Sequence, residues 1–115
     1  MPKHIYKVCS EADWRTAWAN GQYLGSADDQ RDGFIHLSTA AQLAGTLARH
    51  FAGKTHLVVV AFDPGKFGDA LKWEASRGGA LFPHVYGPLP TNFALSVEPL
   101  PLDANGQQVL RADLT

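Results

Sequence analysis

Six consecutive residues, Leu57, Val58, Val59, Val60, Ala61 and Phe62, carry no polar side-chain atom. Valine is restricted at χ1 and packs well on a pleated surface, so three in a row favour an extended chain. A strand alternates its side chains between two faces, and an unbroken apolar run leaves neither face for water. HLVVVAFD is therefore expected to be the central strand of a sheet, stopped by Asp63 and Pro64. The remaining segments have to be arranged around it.

At 115 residues the chain is of ordinary single-domain size, and residues 1–115 are expected to form one domain around one real core. The net charge of -1 gives no long-range attraction to DNA or to an anionic membrane, so any binding is local. A lone cysteine, Cys9, excludes an internal disulfide framework and points to a reducing compartment, with cytoplasm as the expected location. MPKHIYKV has no apolar run of signal-peptide length, and LVVVAF is too short to cross a membrane.

His4 to Val8 reads as a first strand. Ser10, followed three residues later by Asp13, opens a helix to about Asn20, where Gly21 offers a C-terminal cap. Trp14 and Trp18, four apart, are expected to pack that helix on the sheet. SADDQRD reads as a polar loop before the strand DGFIHLS. Ser38 or Thr39, with Gln42, then caps a second helix running to about Phe51, with Leu43, Leu47 and Phe51 as its apolar stripe. Shorter extended pieces follow, LKWEA, LFPHVYG and NFALSVEPL, and a hairpin through Asn105 and Gly106. The pattern predicts an α+β fold, two N-terminal helices packed on a curved, mostly antiparallel or mixed sheet.

In DGFIHLSTA, strand alternation sends Ile35 and Leu37 to one face and Phe34, His36 and Ser38 to the other. FPHVYG repeats the arrangement, with Phe82, His84 and Tyr86 on one face and Val85 on the other. Both polar rows are expected to line one pocket, with His36 and His84 approaching across it, since pockets combine apolar walls with a few convergent polar groups. Taken singly, each imidazole also fits a structural role, donating to a backbone carbonyl. Glu74, beside Trp73, is a candidate acid whose pKa burial would raise, the alternative being a solvated carboxylate. His36, Glu74 and His84 are thus the candidate catalytic groups. The same three could chelate zinc, but no HxxxH or HxH spacing holds two ligands on one element, and no metal is expected.

Other devices are missing from the sequence. Ser38 has no GxSxG elbow for a hydrolase triad, and there is no P-loop or GxGxxG. Cys9 is expected as a small buried residue rather than a stabilised thiolate. Tyr23 serves as pocket wall or core, and His4, His50 and His56 are assigned no role.

IYKV, Trp14, Gly21-Gln22-Tyr23, GFIHLSTA with Gln42, LVVVAFD, Trp73-Glu74 and FPHVYGPL, in this order, resemble the small bacterial and plant family called domain of unknown function 952. The likeness covers nearly the whole chain to about Pro99 and brings no activity with it. A more remote resemblance is to the ADP-ribosyltransferase-like superfamily. IYKVCS is similar to its first-strand motif, with Lys7 where an NAD-gripping His or Arg would stand, and GFIHLSTA to its second motif. This resemblance implies an ADP-ribosyltransferase-like fold and a pocket for an NAD-like nucleotide. The expected ligand-binding residues are Lys7, Trp14, Tyr23, Phe34, His36, Ser38, Thr39, Trp73, His84 and Tyr86, with Tyr86 or Tyr23 stacking a ring. Phe82, Pro83 and His84 stand where the superfamily carries its Glu, so the implied role is binding without fast turnover unless Glu74 supplies the acid. Two functions stay open, a small-ligand pocket and a non-catalytic protein-interaction or structural module.

Overall fold

The computed structural model describes residues 2–111 and 113–114. From the N-terminus come β1 (Ile5–Ser10), α1 (Glu11–Asn20), β2 (Gln22–Tyr23), α2 (Ala27–Asp32), β3 (Ile35–His36), α3 (Leu43–His50) and β4 (Leu57–Phe62). β5 (Leu71–Ala75), β6 (Leu81–Val85), β7 (Leu89–Pro90) and β8 (Ala94–Leu100) follow. The arrangement is α+β.

The apolar run behaves as its composition requires. All of β4 is buried, and it lies between β1 and β8. Val58, Val60 and Phe62 join Ile5, Cys9, Trp14 and Ala17 on one face, where α1 covers the sheet. Leu57, Val59 and Ala61 join Tyr6, Val8, Leu43 and Leu47 on the other, under α3. Each fully buried valine or leucine here stabilises the fold by roughly 1.5–3 kcal/mol.

The expected single curved sheet does not form, although the pairing is antiparallel, one of the two forms expected. The strands make three small sheets, β1-β4-β8, β2-β7 and β3-β6-β5, and each pairing is antiparallel. The physical reason is strand length. β2 and β3 begin just after Gly21 and Gly33, both in the left-handed conformation, and β7 ends in Pro90, so each pairs over two residues only. Tyr6 and Ser38 nevertheless exchange main-chain hydrogen bonds of 2.8 and 2.9 Å, which lays the end of the β3 segment against β1.

Helix positions differ in two places. SADDQRD is a helix rather than a loop, because Ser26 Oγ accepts from the Asp29 N–H and the Asp29 carboxylate accepts from the Ser26 N–H, a closed capping box. Its polarity hid it, since Asp29 is its only buried residue. Trp18 does not pack on the sheet. α1 buries Trp14 and Ala17, while Trp18 is 64% exposed at the rim, beside Val97 and Pro99. The C-terminal hairpin is reduced to a turn at Gly106 with one bridge, Leu102 to Gln108. Among the described residues no helix is long and apolar enough to cross a membrane.

Candidate functional site

The β3–β6 pairing places His36 directly opposite His84. Ile35 and Leu37 turn into the core, as alternation requires, and the imidazoles share the other face. Their rings meet edge to face with centroids 5.3 Å apart. Phe34 stacks on His84 at 4.2 Å and 24° and touches His36 and Tyr86 at 4.7 and 5.1 Å.

Each histidine is tethered by acids, in different ways. His36 Nδ1 lies 2.6 Å from Asp29 Oδ1 and its Nε2 lies 3.0 Å from Asp32 Oδ2, so both ring nitrogens are engaged. His84 Nδ1 lies 2.7 Å from Glu74 Oε1, and Tyr86 OH donates to the two oxygens of Glu74 at 2.9 and 3.1 Å. β5–β6 pairing brings Glu74 there, opposite Phe82 and two positions from His84 along β6.

Beneath His36 sits a buried ion pair. Lys7 Nζ donates to Asp29 Oδ2 at 2.8 Å and to the His36 carbonyl at 3.0 Å, with both side chains almost sealed from solvent. Burial alone would raise the Asp29 pKa. The hydrogen bond from His36, the charge and hydrogen bond of Lys7, and the Ser26 N–H outweigh it and hold the carboxyl well below its usual range.

A cleft of about 290 Å³ opens beside these groups, lined by Lys7, Asp29, Asp32, His36, Ser38 and His84 together with Thr46, Arg49, His50, Phe51 and Phe82. Ser38 Oγ and Thr46 Oγ1 are 2.8 Å apart. Expected site residues therefore separate into four placements. Lys7, His36, Ser38 and His84 line the cleft, and Phe34, Glu74 and Tyr86 back the His84 ring from outside the lining. Trp14 and Tyr23 are in the core instead, and Trp73 packs against it. Apolar contact with α1, β4 and each other holds the first two, whose rings are 6.3 Å apart. Thr39 caps the turn before α3 through a reciprocal bond with Gln42.

Glu74 is not a desolvated acid. Hydrogen bonds from His84 and then Tyr86 lower its pKa, outweighing the effect of burial, and Trp73 points away into the core on the alternate face. Tyr86, by the same contact, is raised. Among the described residues no group of three His, Cys, Asp or Glu side chains is placed to hold a metal ion.

Sequence pattern alone assigns no site role to Asp29, Asp32, Thr46, Arg49 or His50, all of which line the cleft. Asp29 had a signal, the Ser26-x-x-Asp29 spacing of a capping box. Arg49 and His50 had none, because only the docking of α3 through Leu43 and Leu47 brings its last turn to the cleft.

Fold and site together define a class: small α+β proteins in which two acid-tethered histidines meet on facing strands beside a cleft. The chain belongs to the family described as Protein of unknown function (DUF952), whose model matches residues 8–97. It is similar to protein CC0527 from Caulobacter crescentus, whose crystal structure is 48% identical over 93% of this chain and 94% of that one, with a TM-score of 0.90. The crystal structure of a double mutant of that protein gives a TM-score of 0.89. Its solution NMR structure gives 0.82 over 91% of this chain and 90% of that one. Among curated proteins none matches the chain.

Proposed function

We propose that the cleft binds a small phosphate-bearing ligand of the nucleotide class. The observation that carries this reading is the charge left over in the cleft. Asp28, Asp29 and Asp32 are already bonded to Arg31, Lys7 and His36, whereas Arg49 lines the cleft with no ion-pair partner among the described residues. A guanidinium offers a planar fork of donors that matches phosphate oxygens. The Ser38 and Thr46 hydroxyls are further hydrogen-bonding groups on the same wall, and Phe51 and Phe82 supply aromatic faces for a base, in place of Tyr23 and Tyr86.

The volume, about 290 Å³, is at the lower end of ordinary ligand pockets, which run ~300–1,000 Å³. It suits a mononucleotide or one half of a dinucleotide such as NAD or ADP-ribose. The remote resemblance of IYKVCS and GFIHLSTA to motifs of the ADP-ribosyltransferase-like superfamily points to the same ligand class. The rival reading, a structural or interaction module, is favoured at one residue: His36 has both ring nitrogens committed and is part of the scaffold.

Titration of 15N-labelled protein with AMP, ADP-ribose and inorganic phosphate tests the proposal. Shifts are expected at Ser38, Thr46, Arg49 to Phe51 and His84. Arg49→Ala is expected to weaken binding about 10- to 100-fold, from the ~1.5–3 kcal/mol of a hydrogen bond to a charged group. Unchanged spectra at millimolar ligand, or affinity indifferent to Arg49→Ala, would overturn it.

A further inference from the structure

We infer that His84 is a general base that activates water against a phosphoester held in the cleft, with Glu74 and Tyr86 as its positioning residues. This rests on the phosphate-binding reading above and adds chemistry to it.

The two imidazoles are alike in sequence surroundings and opposite in availability. His36 faces carboxylates with both nitrogens and has none to spare. His84 has one tether. Its Nδ1 is directed at Glu74, outside the cleft lining, while His84 is among the residues that line the cleft, which leaves Nε2 as the ring nitrogen available to the cavity. Nε2 has no hydrogen-bond partner among the described residues. Glu74, with its pKa lowered, is a carboxylate and accepts only, so Nδ1 carries the proton, and Nε2 is the nitrogen that offers a lone pair whenever the ring holds a single proton.

Three further contacts fix that ring. Tyr86 OH donates to Glu74 and anchors the carboxylate, Phe34 stacks on the imidazole, and the His84 side chain is only 5% exposed. A base whose far nitrogen is held by an oriented carboxylate is the arrangement that proton transfer requires. The carboxylate also stabilises the imidazolium that forms.

In the step proposed, Nε2 takes a proton from water as the water oxygen bonds to phosphorus. The phosphorus–oxygen bond to the leaving group breaks, and its electron pair departs with that oxygen. The imidazolium then returns its proton to solvent or to the leaving oxygen. Ester and water become alcohol and phosphate, or, from a diester, alcohol and phosphomonoester, with no change of oxidation state. Arg49 faces the charge that builds on the phosphoryl oxygens.

Bis-p-nitrophenyl phosphate is a suitable probe, because p-nitrophenolate leaves without a proton and no general acid is needed. Wild-type protein is expected to hydrolyse it. His84→Gln is expected to lose ~100-fold or more in kcat, the lower range of general-base contributions, with KM unchanged. Glu74→Gln, which keeps its shape, is expected to lower kcat with KM unchanged and to move the His84 ring 15N signals from the Nδ1–H form toward a tautomer mixture. That spectroscopic change separates positioning from a merely structural role, and it carries the test if His84→Gln fails to fold. Phosphate shifting the Arg49 amide without hydrolysis by wild type would overturn the base and spare the binding site. Neither shifts nor hydrolysis would overturn both. Hydrolysis undiminished in the two variants would also overturn the assignment.

Discussion

Asp29→Asn keeps the side-chain shape and removes one charge from the most connected polar group under the site. The carboxylate accepts from Lys7 Nζ at 2.8 Å, from the Ser26 and His36 N–H groups at 2.9 and 3.1 Å, and lies 2.6 Å from His36 Nδ1. Lys7 and Asp29 side chains are 7% and 2% exposed, so the ammonium left behind is poorly hydrated. Removing one partner of a buried pair costs ~3–5 kcal/mol, and the amide oxygen keeps some acceptance, which places the expectation near ~3 kcal/mol. That is a large share of a total stability of ~5–15 kcal/mol. With urea slopes of ~1–3 kcal/mol/M, the midpoint at neutral pH is expected to fall by about 1–3 M.

The same substitution has a pH signature. A carboxyl whose native pKa is depressed contributes fully above its unfolded value of ~3.9, and loses that contribution as pH falls toward the lower native value. Wild type is therefore expected to lose its advantage over Asp29→Asn on acidification below about pH 4. Replacing both partners, Lys7→Met with Asp29→Leu, is expected to recover much of the loss, since no buried charge is left unpaired. A single-mutant midpoint equal to wild type would refute the buried-pair reasoning.

Trp14→Ala is expected to cost ~3–5 kcal/mol in a urea melt and Trp18→Ser no more than about 0.5 kcal/mol, because Trp14 is core and Trp18 is 64% exposed. Tyr23→Phe is expected to be neutral or to stabilise by up to ~1 kcal/mol, since the buried hydroxyl has no partner among the described residues; a clear fall in melting temperature would reveal one. Burial pushes the Cys9 thiol up to about 12, so it is expected to resist Ellman's reagent at pH 8 in the native state and to react once urea unfolds the chain.

Sequence alone was sufficient where a single local rule decided the outcome. The apolar run could only be central, the Ser10 cap and Gly21 stop bounded α1, and alternation in FIHLS and FPHVY put the two imidazoles on one face. It failed where tertiary packing chose between equivalent local options. Helical spacing treats Trp14 and Trp18 alike, and only the limit of the sheet at Val97 and Pro99 leaves the second outside. Polarity marked SADDQRD as a loop, although burying Asp29 against Lys7 takes a residue from each of two distant segments. Arg49 was invisible for the same reason: its side of α3 acquires meaning only when the helix is docked.

Ser38 joins three parts of the molecule at one residue. Its amide and carbonyl bond Tyr6 of β1, its hydroxyl meets Thr46 of α3, and its chain continues from the histidine-bearing β3. A ligand that draws the hydroxyl away from Thr46 pulls on the rung to Tyr6 as well. The amide protons of Tyr6 and Ser38 should therefore exchange with deuterium at a rate set by what occupies the cleft, so main-chain protection reports occupancy of the side-chain site.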